Sequence, residues 1–546
     1  MRIALSQLNF HIGNFEANEK KILGAINRAR GQKADLICFS ELATCGYPPL
    51  DLLEFRDFID QSSAVLDKVK NASEDIGILI GAPRVNPELP GKNLFNSAFL
   101  FYRKELLGYV DKSLLPTYDI FDEYRHFEPA KKFQTIDFKG ERIAVTICED
   151  IWDLINDDPI YTFHPMDKLM EQQPTVAINL SASPFHASQP QRRRYVVQAN
   201  AKKYQIPFFY VNQVGAHTEL IFDGGSLVVD ADGEVHDEMP LFEESLRIYD
   251  LDEVHQLKGI GQIRTKDRIV LIHDALIMGI RDYFGKLGFK KAILGLSGGI
   301  DSALTAALTC RALGAENVHG LIMPSPFSSK HSVTDAKKLV ENLGMTADTL
   351  SIDDLYEKFT TELSLFFEVD RWGVTQENIQ ARIRGILLMA YSNKMGCILL
   401  NTTNKSEMAV GYGTLYGDLC GGLSVLADVY KTDVYRLSAF MNREREIIPQ
   451  NSIQKPPSAE LRPDQKDSDS LPEYELLDQI LYQYIEMQMS PSRITAMGFD
   501  KKTVQKILDL VNRSEFKRYQ TAPVLRVSTK AFGSGRRMPI VSKYIS

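Results

Sequence analysis

The sequence predicts an α/β protein built as two large domains. Short apolar runs of strand length alternate with helical stretches along most of the chain. At 546 residues the chain is too long for a single hydrophobic core. Near its middle, at 255–268, HQLKGIGQIRTKDR interrupts the alternation with a polar, glycine-containing segment. These observations place a boundary there and divide the chain into domains of 1–260 and 261–546.

In the first domain, MRIALSQLNF alternates like an opening strand, and FEANEKKILGAINRAR has helical periodicity. Buried-strand patterns follow in ADLICFSE, GILIGAP, RIAVTICED, TVAINLSAS and IPFFYVNQVG, so a layered α/β arrangement is expected. The second domain opens with an amphipathic helix, VLIHDALIMGIRDYFGKLG. It continues as strand, glycine turn and helix in KAILGLSGGIDSALTAALTCRALG. VHGLIMPS and CILLNTTN are further strands between helices, which predicts a doubly wound parallel sheet. Segment 451–473, crowded with Pro, Asp and Ser, is expected to be a linker or mobile loop rather than a helix or strand.

Composition narrows the function classes. Hydrophobic residues are 44% and charged residues 25% of the chain, and no apolar run reaches the roughly 20 residues of a membrane span. A net charge of −8 disfavours nucleic acid and favours small-molecule substrates. The arginines at 192–194 are expected on a solvated helix face. Six cysteines without a CxxC pair, and a start that lacks the pattern of an export signal, point to the reducing cytoplasm.

The strongest local signal is Gly295-Leu296-Ser297-Gly298-Gly299-Ile300-Asp301-Ser302. A tight turn that opens a helix presents free backbone N–H groups to anionic oxygens, and glycines permit close approach. The string SGGxDS resembles the pyrophosphate-binding loop of the N-type ATP pyrophosphatases and does not fit the Walker pattern. The resemblance implies that ATP is cleaved to AMP and pyrophosphate there. It also makes Asp301 a hard oxygen ligand for Mg²⁺, with helix capping by Asp301 or Ser302 as the alternative.

ENIQARIRG, LLNTTNKSEMAVGYGTLYGD and DVYKTDVYRL together resemble NAD synthetases. The resemblance implies that Asn378 and Glu407 contact deamido-NAD, that Thr402 and Lys431 contact ATP, and that Glu407 shares the metal. Lys517, in the tail EFKRYQTAPVLRVSTKAFGSGRRMPI, is implied to grip the dinucleotide. The prolines and acids around PPSAELRPDQKDSDSLPEY resemble a segment that folds over the intermediate, which would keep water from a hydrolysable adenylate.

In the first domain, Glu41 in CFSELATCGYPP, Lys112 in YVDKSLLPTYDIFDEYRHFEP and Cys148 in VTICEDIW resemble the Glu-Lys-Cys triad of the nitrilase superfamily. The residue types suit amide hydrolysis: a Cys148 thiolate attacks the amide carbon while Glu41 carries the proton. Lys112 supplies a fixed cation for the oxyanion and is expected to favour the thiolate. Glu123 is a second carboxylate for Lys112 or water, and Tyr118 and Ser183 match glutamine-binding positions. Gln189 stands where related domains often carry a lysine on the same side of the substrate.

A nitrilase-type α-β-β-α sandwich joined to a Rossmann-like ATP pyrophosphatase domain resembles the glutamine-dependent NAD⁺ synthetases. That implies a homo-oligomer acting on glutamine, ATP and deamido-NAD, with Mg²⁺, no nucleic acid and no membrane. Amidation of a different carboxylate, a tRNA-modifying ATP pyrophosphatase and a scaffold without chemistry remain the competing readings.

Overall fold

The computed structural model describes all residues except 89, 156–159, 257–262, 264, 367–372, 459, 463–464, 466, 470 and 544–546. The expected boundary at 260/261 lies outside the described residues. The chain separates into two compact units, Met1–Lys266 and Asp267–Ser546.

The first unit contains β1 (Arg2–Gln7), β2 (Leu36–Cys38), β3 (Gly77–Val85), β4 (Leu94–Tyr102), β5 (Glu105–Asp111), β6 (Ile136–Phe138) and β7 (Glu141–Ile147). It continues through β8 (Val176–Ser181), β9 (Phe208–Asn212), β10 (Val214–His217), β11 (Leu220–Asp223), β12 (Leu227–Val229), β13 (Val235–Glu238) and β14 (Ser245–Asp250). Two six-stranded sheets result, in the orders β14-β1-β2-β3-β4-β5 and β13-β12-β9-β8-β7-β6.

Neighbouring residues on one strand enter different cores. Leu5, Cys38, Val145 and Ile178 meet between the sheets. Ala4 and Ile37 pack under Ile22 and Val65 from helices Phe15–Gly31 and Arg56–Asn71. Ala144 and Ala177 pack under Met166 and Val196 from helices Pro165–Met170 and Gln189–Tyr204. The layers are therefore α-β-β-α. This corrects the alternating reading of the first strand: Ile3 to Gln7 are all buried, because both faces of the sheet are covered.

The arginine run also departs from expectation. Only Arg192 is exposed; Arg193 is buried and grips both carboxylate oxygens of Asp223 at 2.9 and 2.6 Å, and Arg194 meets Glu238. A helix lying on a sheet turns one face inward, so three consecutive residues cannot all face solvent.

The second unit carries β15 (Ala292–Gly295), β16 (Val318–Ile322), β17 (Thr346–Thr349), β18 (Ile398–Asn401) and β19 (Leu423–Ser424). Their order is β17-β16-β15-β18-β19, and every pair is parallel, which gives the doubly wound sheet expected. The order reverses at β15, so a crevice opens at the carboxyl ends of β15 and its neighbours. Segment 451–473 is described except at 459, 463–464, 466 and 470. Its described residues include the end of helix Gln450–Gln454 and a 3-10 turn at Asp467–Asp469; Leu461 and Leu471 are buried and Ile453 is half-buried. No helix among the described residues is long and apolar enough to cross a membrane.

Candidate active sites

Glu41 follows β2, Lys112 follows β5 and Cys148 follows β7, so both sheets deliver one end of their strands to a single centre. Glycine at 81 makes room for the Glu41 turn: a Cβ there would stand 2.5 Å from the Leu42 nitrogen. Lys112 is wholly buried, with Nζ 2.7 Å from Glu41 Oε1 and 2.7 Å from Glu123 Oε2. Asn96 donates to Glu41 Oε1 at 2.7 Å, and the Ala182 amide donates to Oε2 at 3.2 Å. Tyr47 donates to Glu123 at 2.8 Å.

Cys148 sits in a left-handed backbone conformation at φ 42°, a strained position that the surroundings must hold. Asp150 supplies the hold. Its carboxylate accepts the amides of Ile147, Ser113 and Leu114 at 3.0, 3.0 and 2.9 Å, which ties the nucleophile's turn to the chain just beyond Lys112.

The Lys112 charge favours the Cys148 thiolate in the direction expected, but burial works against it. Burial, with Glu41 adding to it, pushes the Cys148 thiol well above its usual value, and Lys112 offsets only part of this. Forming the thiolate therefore calls for a base as well as the Lys112 cation. Burial alone would pull Lys112 down, but Glu123 and Glu41 hold it well above its usual value, so it is a permanent cation. Burial raises Glu123 to about 7 despite the pull of Lys112.

Around this centre, Tyr118 is 44% exposed and donates to Glu149 at 2.8 Å. The buried Gln189 amide donates to the Ser183 hydroxyl at 2.9 Å, and the Ser183 amide donates to Asn212. Glu123 is engaged by Lys112 and Tyr47 rather than by the Tyr118 group. Sequence reasoning missed Glu149 and Asp150. The signal was two acids directly after an apolar strand and its cysteine, in a stretch that is entirely buried. Burial raises Glu149 to about 7.

In the second unit, β15 runs into Ser297-Gly298-Gly299 and helix Ile300–Leu313, with Gly299 at the cap. Gly298 has φ +75, and a Cβ there would run into the Ser332 carbonyl. The Ser297 hydroxyl lies 3.1 Å from that of Ser302. Asp301 is not a cap: its carboxylate lies 2.5 Å from Lys431 Nζ and accepts the Asn404 amide at 2.9 Å. Glu407 stands 3.6 Å from the same Nζ. Ser297, Asp301, Thr402, Glu407 and Lys431 line one cleft. Described residues of 451–473, among them Ser458, Glu460 and Asp467, line it too.

Asn378 and Lys517 are not among the residues lining that cleft. Asn378 accepts from the Thr414 hydroxyl at 2.7 Å, and Lys517 donates to the Gly411 and Gly413 carbonyls at 2.7 and 2.8 Å. Burial raises Glu407 to about 8, and repulsion from Asp301 adds to the shift. Two hard carboxylates that repel each other beside a phosphate loop suit a divalent cation such as Mg²⁺.

Each unit matches a known protein family. Residues 2–258 match the carbon-nitrogen hydrolase family and residues 272–521 match the NAD synthase family. The chain is 45% identical to the glutamine-dependent NAD(+) synthetase of a Synechocystis species, over 99% of both chains. The chain belongs to the glutamine-dependent NAD⁺ synthetases. The synthetase of Thermotoga maritima is 40% identical, over 100% of this chain and 99% of its own. The solved structure of the Acinetobacter baumannii synthetase in complex with ADP is 38% identical, with TM-score 0.77, and the match covers 99% of this chain and 98% of that one.

Proposed function

We propose that the chain hydrolyses glutamine in Met1–Lys266 and uses the ammonia in Asp267–Ser546 to convert deamido-NAD to NAD⁺, with ATP cleaved to AMP and pyrophosphate. The observation that carries this reading is the coexistence, in one chain of this family, of two centres. One is a buried Glu41–Lys112–Cys148 centre, and the other is a serine-glycine loop faced by Asp301, Glu407 and Lys431.

Glu41 takes the Cys148 proton, and the thiolate attacks the carboxamide carbon of glutamine. Lys112 stabilises the oxyanion that forms. As the tetrahedral intermediate collapses, Glu41 returns the proton to the departing ammonia, leaving a thioester on Cys148. Glu41 then activates a water, which releases glutamate and restores the thiol. Glu149, between Tyr118 and Tyr161, is placed to receive the α-ammonium of glutamine, while Tyr118, Ser183 and Gln189 contact the rest of the substrate.

In the second unit, the N–H groups of the loop from Gly295 to Ser302 hold the ATP phosphates. The nicotinate carboxylate oxygen of deamido-NAD attacks the α-phosphorus, and pyrophosphate leaves. Ammonia then attacks the acyl carbon of the adenylate and AMP leaves. Thr402 and Lys431 serve ATP, whereas Asn378, Glu407 and Lys517 serve the dinucleotide. Asp301 and Glu407 would hold Mg²⁺, which supplies charge neutralisation on the phosphates. The 451–473 segment shields the adenylate from water. Ammonia at neutral pH is mostly non-nucleophilic ammonium, which favours a shielded route between centres within a cytoplasmic homo-oligomer.

The test is formation of AMP and NAD⁺ from ATP and deamido-NAD with glutamine or ammonium as donor. NAD⁺ from both donors is expected. No NAD⁺ from either would mean that a different carboxylate is the substrate.

A further inference from the structure

Arg384 lies on helix Val374–Met395 and lines the same cleft as Ser297, Asp301 and Lys431. It is only partly exposed. Its one hydrogen bond among the described residues is from Nε to the Met323 carbonyl, 3.0 Å away just beyond β16. Neither terminal nitrogen donates to a described residue, and no described carboxylate forms an ion pair with it. Of the acids whose charge reaches it, Asp418, Glu460 and Asp353, the first two are engaged elsewhere, and Asp353, exposed at the start of helix Asp353–Leu363, forms no ion pair with it. Glu460 accepts from the Ser329 and Ser332 hydroxyls at 3.1 and 2.6 Å, and Asp418 accepts the Thr414 amide at 2.5 Å.

Two buried arginines of this chain and the half-buried Arg536 are treated differently. Arg193 is clasped by Asp223, and Arg518 and Arg536 both meet Glu515 at 2.7 Å. A desolvated guanidinium without an anion is costly, and the cost is relieved where a ligand brings the anion. Loss of water around Arg384 pulls it down to about 10, the direction expected of a cation that lacks a close counter-charge. The planar fork of an arginine suits two phosphate oxygens at once.

We propose that Arg384 is the guanidinium that receives phosphate oxygens of a substrate bound in this cleft. The inference rests on the reading of the cleft as the ATP and deamido-NAD site, and it adds a residue that the serine-glycine loop does not include. The chemistry is a phosphate oxyanion, supplied either by the polyphosphate of ATP or by the diphosphate bridge of the dinucleotide.

The experiment uses full-length Arg384→Met and Arg384→Lys proteins with melting temperatures within a few degrees of wild type. Ammonium-driven NAD⁺ synthesis gives KM for ATP and for deamido-NAD separately, and calorimetry gives affinities for ATP, AMP and adenosine. Arg384→Met is expected to raise KM for one phosphate-bearing substrate roughly 10- to 100-fold, with partial recovery in Arg384→Lys. A rise for ATP, with AMP and ATP weakened and adenosine unchanged within twofold, identifies the ATP phosphates. A rise for deamido-NAD alone identifies its diphosphate. Both KM values within twofold of wild type overturn the proposal, as does equal weakening of adenosine, AMP and ATP, which marks a purely structural role. If wild type binds ATP but makes no NAD⁺, the proposed function fails while the calorimetric arm still tests Arg384.

Discussion

Lys112 and Lys431 each stand between two carboxylates, yet their surroundings differ. Lys112 touches Glu41 and Glu123 at 2.7 Å in a fully buried pocket where the two carboxylates also accept from Asn96, Ala182 and Tyr47. Lys431 meets Asp301 at 2.5 Å and Glu407 at 3.6 Å on the wall of a cleft that also holds the unmatched Arg384. The glutamine centre is assembled and positioned by the chain alone, before substrate arrives. The cleft of the second unit keeps crowded acids and a guanidinium that no described carboxylate pairs, charges that a cation and phosphates would balance under the proposed function. Preorganisation lowers the reorganisation that chemistry requires, whereas an incomplete site ties catalysis to the presence of all its substrates.

Cys148→Ala breaks the comparison most sharply. Glutamine-driven synthesis should fall by about 10⁴-fold or more, as for loss of other enzyme nucleophiles, while ammonium-driven synthesis persists. Measuring NAD⁺ from each donor checks it, and parallel loss of both would show that the second centre depends on the first.

Lys112→Met is the next largest change. It removes the cation from between two buried carboxylates, so glutaminase activity should disappear and the first unit should lose about 3–5 kcal/mol. Denaturant unfolding read alongside ammonium-driven synthesis would expose a full-strength first unit if the lysine were dispensable.

Gly298→Ala probes the other centre. The alanine Cβ meets the Ser332 carbonyl at a left-handed φ, so the loop must deform. The KM for ATP should rise roughly 10-fold or more, because a displacement of about 1 Å can be that costly, with glutamine hydrolysis unchanged. An unaltered ATP dependence would mean that the loop does not hold the phosphates.

The same contrast explains what the sequence made legible. SGGIDSAL carries its geometry locally, a turn that opens a helix at the end of β15, so the loop could be read from a contiguous string. Glu41, Lys112 and Cys148 come from three distant segments and were legible only through resemblance to a known family, because their meeting depends on two sheets packing face to face. The burial of Arg193 and the bare guanidinium of Arg384 were not legible. Both depend on which acids lie nearby in three dimensions, and no local spacing encodes that.

The gentlest test is pH. Burial raises Glu149 to about 7, and in its proposed role only the ionised form would pair with the α-ammonium of glutamine. The KM for glutamine should therefore fall as pH rises towards 7 and level off above it, by up to about 10-fold per unit on the acid side. Glu149→Gln should raise that KM and flatten the profile. Stability should move the other way. Glu149 and Glu123, both near 7 in the folded chain against roughly 4.3 unfolded, make the native state hold more protons in that window, so stability falls as pH climbs from about 4.3 to 7. Above pH 7 the Glu149→Gln protein should consequently melt higher than wild type while using glutamine less well. A variant that melts lower at pH 8 would show that the Glu149 carboxylate supports the fold through Tyr118 and Tyr161 rather than being kept there for substrate.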